Sequence, residues 1–232
     1  MNEGPEVPAF RSKLEVQPQY SAAVDDAYIY KLEDRDDVVV RSFDWKYFLE
    51  KGFFRPDSKA DSLSAVEFAQ ITKKHFDELQ SYGVAVPVSF IVADQKDKHG
   101  IPSEEVLAVV DNIVKAEHRD KKTLGAAFAA LRTSLAHYYG DKLENGGSFL
   151  ADLVNDTQYA YGKAQRDTSD HLYLVDVEPY IYKGLKAVYM VINELDHLVQ
   201  KERNFFSIPE YDPVSENVHA LHERALERFK AV

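Results

Sequence analysis

Tyr82-Gly83-Val84-Ala85-Val86-Pro87-Val88-Ser89-Phe90-Ile91-Val92 decides the fold class, because one periodicity gives way to another inside it. Before it, Phe68, Ile71, Phe76 and Leu79, with His75 among them, recur at helical spacing and make one apolar stripe. Ser64-Ala65-Val66-Glu67 opens that helix as a capping box, in which a hydroxyl and a carboxylate satisfy otherwise orphaned backbone donors. Gly83 ends it. From Val84 to Val92 the residues are β-branched and aromatic, and Pro87, which has no N–H to donate, belongs at the start or the edge of such a strand. A helix therefore runs straight into a strand.

Upstream, Ala27-Tyr28-Ile29-Tyr30-Lys31-Leu32 and Val38-Val39-Val40-Arg41 read as a β-hairpin joined by the charged turn Glu33-Asp34-Arg35-Asp36. Residues 1–20 hold three prolines and one strand-like alternation, Lys13 to Val16. Phe43 to Phe54 is dense in aromatics and reads as a short helix or a packed loop. Downstream, Gln95 to Pro102 is a polar loop, and Val106 to Val114 fits a strand and a helix equally well. Leu124, Phe128, Leu131, Leu135 and Tyr138 mark a strong helix from Thr123, expected to stop at Gly140. A shorter helix is expected from Ser148 to Val154. Leu172 to Val177 reads as a strand followed by Pro179. Two more helices are expected, one carrying Ile181, Leu185, Val188, Ile192, Leu195 and Val199, the other spanning about 214–230. Strands come mostly first and helices mostly later. The expected fold is α+β with two lobes: residues 1–115, a small mainly antiparallel sheet with one helix, and residues 116–232, mainly helical.

Composition narrows the function classes. At 45% hydrophobic and 29% charged residues, the 232-residue chain can bury a substantial core. It has no cysteine, which excludes disulfides, thiolate metal sites, iron–sulfur clusters and a cysteine nucleophile. A net charge of −11 opposes binding to nucleic acid. No apolar run approaches the roughly 20 residues of a membrane span. Met1-Asn2-Glu3-Gly4-Pro5-Glu6 lacks the basic and apolar regions of a secretory signal, so a cytoplasmic location without a membrane partner is expected. Phosphate-loop, dinucleotide, serine-hydrolase and zinc-protease signatures are absent. Glu194-x-x-His197 and Glu216-x-x-His219 have the spacing of di-iron bundles, but both pairs fall on the faces opposite the apolar seams of their helices. The fourteen tyrosines, Tyr138, Tyr139, Tyr159, Tyr161, Tyr180 and Tyr182 among them, are expected at the edge of a core.

One constellation remains. Leu172-Tyr173-Leu174-Val175-Asp176 is an apolar strand that delivers an acid, followed by Val177-Glu178-Pro179. An ionised Asp in such a place needs a metal, a basic side chain or backbone donors. Either Asp176 or Glu178 caps the next helix, or Asp176 is a Mg²⁺ ligand or a charge partner in a cleft between the lobes.

The order of these elements resembles the protein-kinase-like fold, in particular its aminoglycoside and choline phosphotransferase branch. There, a third strand bearing a Lys precedes a helix bearing a Glu, and a "yGvpvP" turn leads to the fourth strand. Val38 to Arg41, the helix with Glu67, and Tyr82-Gly83-Val84-Ala85-Val86-Pro87 occupy those places, over about residues 25–200. His171 to Glu178 is similar to the family's strand ending in the metal-binding Asp. The resemblance implies ATP and Mg²⁺ as cofactors, Asp176 as metal ligand, and Arg41, Glu67 and Lys163 around the nucleotide. Counting back from Asp176 puts Gln158 where the family has its catalytic Asp, and Lys163 where it has a metal-binding Asn. A slid register makes Asp156 or Asp152 the base. Arg41 replaces Lys, and no glycine-rich loop precedes the hairpin. Three readings follow: a degenerate, pseudokinase-like module that binds a small molecule or a protein; an active Mg²⁺-dependent small-molecule phosphotransferase; and an unrelated α+β binding or structural protein.

Overall fold

The computed structural model describes residues 17–20, 27–32, 35–56, 63–96, 102–116, 121–153, 158–164 and 167–183, with Ala220, Glu223 and Glu227 helical. The chain is α+β, with small antiparallel sheets and three helices of defined bounds among the described residues. Strands β1 (Gln17–Tyr20), β2 (Ala27–Leu32), β3 (Arg35–Phe43), β4 (Val88–Lys96) and β5 (Pro102–Asp111) form one antiparallel sheet in the order β1-β2-β3-β5-β4. The hairpin β2–β3 pairs Ala27 with Phe43 and Ile29 with Arg41. Arg35 and Asp36 belong to β3 rather than to the turn.

β5 settles the stretch from Val106 onward. It is the strand between β3 and β4, and Val106, Leu107, Ala108 and Val110 are buried. A strand covered on both faces loses the polar alternation that would identify it, which is why its sequence reads equally as a helix. Pro87 lies just before edge strand β4, where its missing N–H breaks no ladder bond.

Helix α1 (Trp45–Glu50) resolves the aromatic stretch after Phe43; Asp44 caps it, and the Trp45 indole donates to Glu104 O at 3.0 Å. Helix α2 (Ala65–Ser81) starts from the capping box at Ser64 and Glu67 and gives way to Gly83 at φ 93°. Its buried face, Phe68, Ala69, Thr72, His75, Phe76 and Leu79, covers the sheet. Phe76 stacks on Phe90 of β4 at 5.5 Å, and Phe68 packs against Trp45, Phe48 and Phe54.

Four expectations are corrected in the second half. Helix α3 (Lys121–Asn145) runs past Gly140, which is buried within it, because tertiary packing outweighs a single glycine's propensity. The chain turns instead at Gly146 and Gly147, at φ 74° and 97°. No helix starts at Ser148: Phe149–Leu150 form β7, paired with β10 (Ile181–Tyr182), so the helix expected to include Ile181 begins with a strand as well. Residues 184–200 lie outside the described residues, as do both Glu-x-x-His pairs. Asp176 and Glu178 cap no helix; they lie in the irregular segment that leads into β10. A third sheet joins β6 (Val114–Lys115), β8 (Tyr159–Lys163) and β9 (His171–Leu174).

A single buried cluster runs from Phe43, Phe68 and Val110 through Leu135, Tyr138 and Tyr139 to Leu174, Val177 and Ile181, so the sheet, both long helices and the short strands share a core. Among the described residues, no helix is long and apolar enough to cross a membrane. Gly162 shows how closely the strands approach, because a Cβ there would collide with the carbonyl oxygen of Val114 on β6. Gly162→Ala is expected to cost roughly 1–3 kcal/mol in chemical denaturation. Gly146→Ala, which meets no neighbour within 4 Å and pays only for its positive φ, is expected to cost about 1 kcal/mol.

Candidate functional site

Residues directly opposite each other on neighbouring strands point to the same side of a sheet. Arg41 lies opposite Ala108, and Ala108 opposite Phe90, so Arg41 rises from the face covered by α2. Ala108 offers nothing beyond its Cβ, which leaves room above it for a guanidinium. A cation on an inner face needs an anion, and Arg41 Nη1 donates to Asp176 Oδ1, 135 residues away.

Asp176 reaches that place from the end of β9. The carbonyl of Gln158 accepts both the Val175 amide (2.8 Å) and the Asp176 amide (3.2 Å), tying the start of β8 to the acid. From Asp176 to Ile181 the chain alternates: Asp176, Glu178 and Tyr180 are half-buried, while Val177, Pro179 and Ile181 are buried. The period of two puts the two acids and the tyrosine on one side. Burial pushes the Glu178 carboxyl above the usual carboxylate range, the Asp176 charge pushes it the same way, and Arg41 and a hydrogen bond with Tyr180 pull it back. Burial, followed by the Glu178 charge, pushes the Tyr180 phenol up.

Asp152 completes the cluster, since its charge also raises Glu178 and Tyr180. It is exposed and has φ 59°, an αL backbone that Asp tolerates better than most residues. Its neighbours hold it in place: the Ala151 amide donates to Tyr180 O at 2.9 Å, and the Tyr159 hydroxyl donates to Leu153 O at 2.7 Å. A strained backbone fixed on both sides is a common feature of functional sites.

The structure thus gathers Arg41, Asp152 and Asp176, with the Gln158 backbone beside them. It does not gather Glu67 or Lys163. Glu67 is exposed in the first turn of α2, and its carboxylate accepts from the Ser64 amide and hydroxyl at 2.8 Å; these bonds lower its pKa. Arg41 is paired with Asp176 instead. Lys163 is an exposed residue of β8 opposite Val114, so counting back from Asp176 lands on a strand rather than a loop. Gln158 is buried at the head of that strand. Asp156 lies outside the described residues. The sequence on its own offers Glu178 as a cap and Tyr180 as core edge; the alternation from Asp176 to Tyr180 is the signal that joins them.

Chemically, the cluster offers hard carboxylate oxygens and one fork of N–H donors. Among the described residues, no group of three acidic or histidine side chains is arranged to hold a metal by itself. Asp176 with Glu178 fits the kind of cation that takes one or two carboxylates and completes its shell with water and phosphate, as Mg²⁺ does.

With Arg41 at 20% and Asp176 at 33% side-chain exposure, solvent screens the pair only in part. Arg41→Leu is expected to cost about 1–3 kcal/mol, because it strands the carboxylate, and Arg41→Leu with Asp176→Leu is expected to recover part of that loss in a double-mutant cycle. Glu178→Gln is expected to raise the melting temperature at neutral pH. A carboxyl with a raised folded-state pKa contributes stability at low pH that is lost as pH rises through that value, so the gain should vanish near pH 4 in a thermal melting series.

No protein-family model, curated protein or solved structure matches this chain.

Proposed function

We propose that the chain is a protein-kinase-like, two-lobed protein whose site at Arg41 and Asp176 binds a nucleotide-type ligand, so that it acts as a ligand-binding or interaction module. The observation that carries this reading is the ion pair itself. The resemblance assigns the third-strand cation to the ligand's phosphates and the strand-end acid to its metal, and two groups that serve one ligand have to be neighbours. Arg41 and Asp176 are neighbours across 135 residues. The order β3, α2, the Tyr82–Pro87 turn, β4, β5 also supports it, with β3 and β4 in one sheet. Mg²⁺, which supplies charge neutralisation for phosphates, would be held by Asp176 and Glu178. Binding rather than transfer is favoured because the guanidinium is already neutralised by Asp176, Glu67 is engaged at its helix cap, and no glycine-rich loop precedes the hairpin.

A second reading, phosphotransfer to a small molecule, is favoured by Asp152. It stands between β7 and β8 with an exposed carboxylate, where a base for a substrate hydroxyl is required. In that register the position five residues on is Thr157, not Asn.

Thermal melting with Mg²⁺ and ATP, against Mg²⁺ alone, tests the binding reading. A ligand at about 100 times its Kd adds roughly 2.7 kcal/mol, which for a chain of this size raises Tm by roughly 5–10 °C. Asp176→Asn is expected to abolish the rise, and no rise at millimolar nucleotide overturns the reading. A nucleotide turnover that Asp152→Asn removes while leaving the melting shift intact would establish the second reading over the first.

A further inference from the structure

A sheet has two faces, and α2 covers one of them. Side chains alternate along β3, so Val38, Val40 and Ser42 stand on the face opposite Arg41 and α2. Register carries that outer face across the sheet: Ser42 lies opposite Leu107, Val40 opposite Val109, and Val109 opposite Ser89 of β4. An antiparallel sheet with one face in water shows polar residues there. This face is apolar and dry instead. Val40 is 2% exposed and Leu107 0%, and neither belongs to the buried cluster shared by α1, α2 and α3. The buried Ser42 hydroxyl is satisfied on the same face, donating to Glu105 at 2.6 Å. The three helices of defined bounds all join the core on the Arg41 side, so a further segment has to lie over β3 and β5.

We propose that the outer face of this sheet is the docking surface for the chain's own C-terminal stretch, residues 214–230, laid across β3 and β5 as a helix. Ala220, Glu223 and Glu227 are helical and exposed, and their spacing of three and four puts them on one side. The same period puts Val218, Leu221, Ala225 and Phe229 on the opposite side, as an apolar stripe. From Val218 to Phe229 the stripe runs about 17 Å at helical rise, and the strands from β2 to β4 span about 14 Å. The charges agree as well. The outer face carries acids toward both ends of β5, Glu105 and Asp111. The helix keeps Glu223 and Glu227 on its water side, while Arg224 and Arg228 fall beside the apolar stripe by spacing. The other apolar stretch after β10, Leu185 to Val199, fits less well. It starts three residues after Tyr182, which belongs to the core on the α2 side, and it sets Glu194 and Asp196 against the single cation Lys186. Docking of residues 214–230 backs β3 from behind, at the two residues on either side of Arg41, and it holds whether or not a nucleotide binds.

Because the chain has no cysteine, any thiol introduced is unique. In the full chain, a nitroxide attached to Ser89→Cys, exposed at the rim of the outer face, is expected to broaden the amide NMR signals of residues 218–229. A nitroxide on Asp77→Cys, exposed on α2 across the sheet, is expected to leave them sharp. Broadening from Asp77→Cys alone, from neither label, or only at residues 1–16 overturns the proposal. So does broadening in a mixture of nitroxide-bearing chains and isotope-labelled chains without nitroxide, because the occupant is then a second copy. Thiol reactivity gives an independent reading. Val109→Cys, half-buried on the outer face, is expected to react about tenfold faster when Ala225→Asp is added, and at an unchanged rate with Ala220→Asp. Equal rates in the two variants overturn the proposal.

Discussion

A guanidinium on the inner face of a sheet is the constraint to which much of this structure answers. Arg41 cannot face α2 without an anion, and the anion comes from a strand that begins 130 residues later in the chain. The requirement reaches beyond the two side chains. To place Asp176, β9 has to end where it does, and the Gln158 carbonyl fixes that end by accepting two consecutive amides. β8 is thereby aligned with β9, and β8 in turn carries the pairing to β6 through Gly162, where any side chain would strike the Val114 carbonyl. One half-buried ion pair and one close backbone approach together restrict how the two halves of the chain can meet.

The packing around that pair is aromatic and continuous. Phe48 touches Phe43, Tyr47, Phe53, Phe68 and Tyr180, so the residue that accepts a hydrogen bond from Ala151 is braced by the same ring that packs on α2. Phe53 and Arg55 add backbone bonds to Ile181. On the other side, Lys142 pairs with Glu78 and lies 5.7 Å over the Tyr138 ring, whose hydroxyl receives the Leu150 amide. The polar groups of the site are thus supported from behind by apolar contacts rather than by further charges.

What was legible in the sequence follows from the range of the forces involved. The capping box at Ser64, the helical stripe of α2, the helix stop before Gly83 and the hairpin β2–β3 are local, and each is present. The two-residue strands β7 and β10 were not legible, because two residues show no period, and Leu150 and Ile181 become strand through distant partners, Ile181 pairing with Leu150 and bridging Phe54. The same blindness displaced the site. With Tyr159–Lys163 not legible as a strand, the count back from Asp176 falls on Gln158 and Lys163, one buried at the head of β8 and the other exposed within it. The resemblance places Arg41 at the phosphates and Asp176 at the metal of one nucleotide, and does not pair them with each other. Their union needed the fold.

The charge balance of the site constrains what it accepts. Asp176 already neutralises the Arg41 guanidinium, and the charges of Asp152, Asp176 and Arg41 all act on Glu178. A ligand that offers only an anion competes with Asp176 for Arg41 while facing two further acids. A ligand that offers only a cation competes with Arg41 for Asp176. Either exchange breaks one half-buried ion pair and leaves a stranded charge, which is the costly outcome for groups removed from water. A ligand carrying both signs, a phosphate with its divalent cation, gives each partner a replacement at once. Under the reading proposed above, the pair would therefore favour a metal-bound phosphate over either component alone, through two side chains that otherwise hold each other.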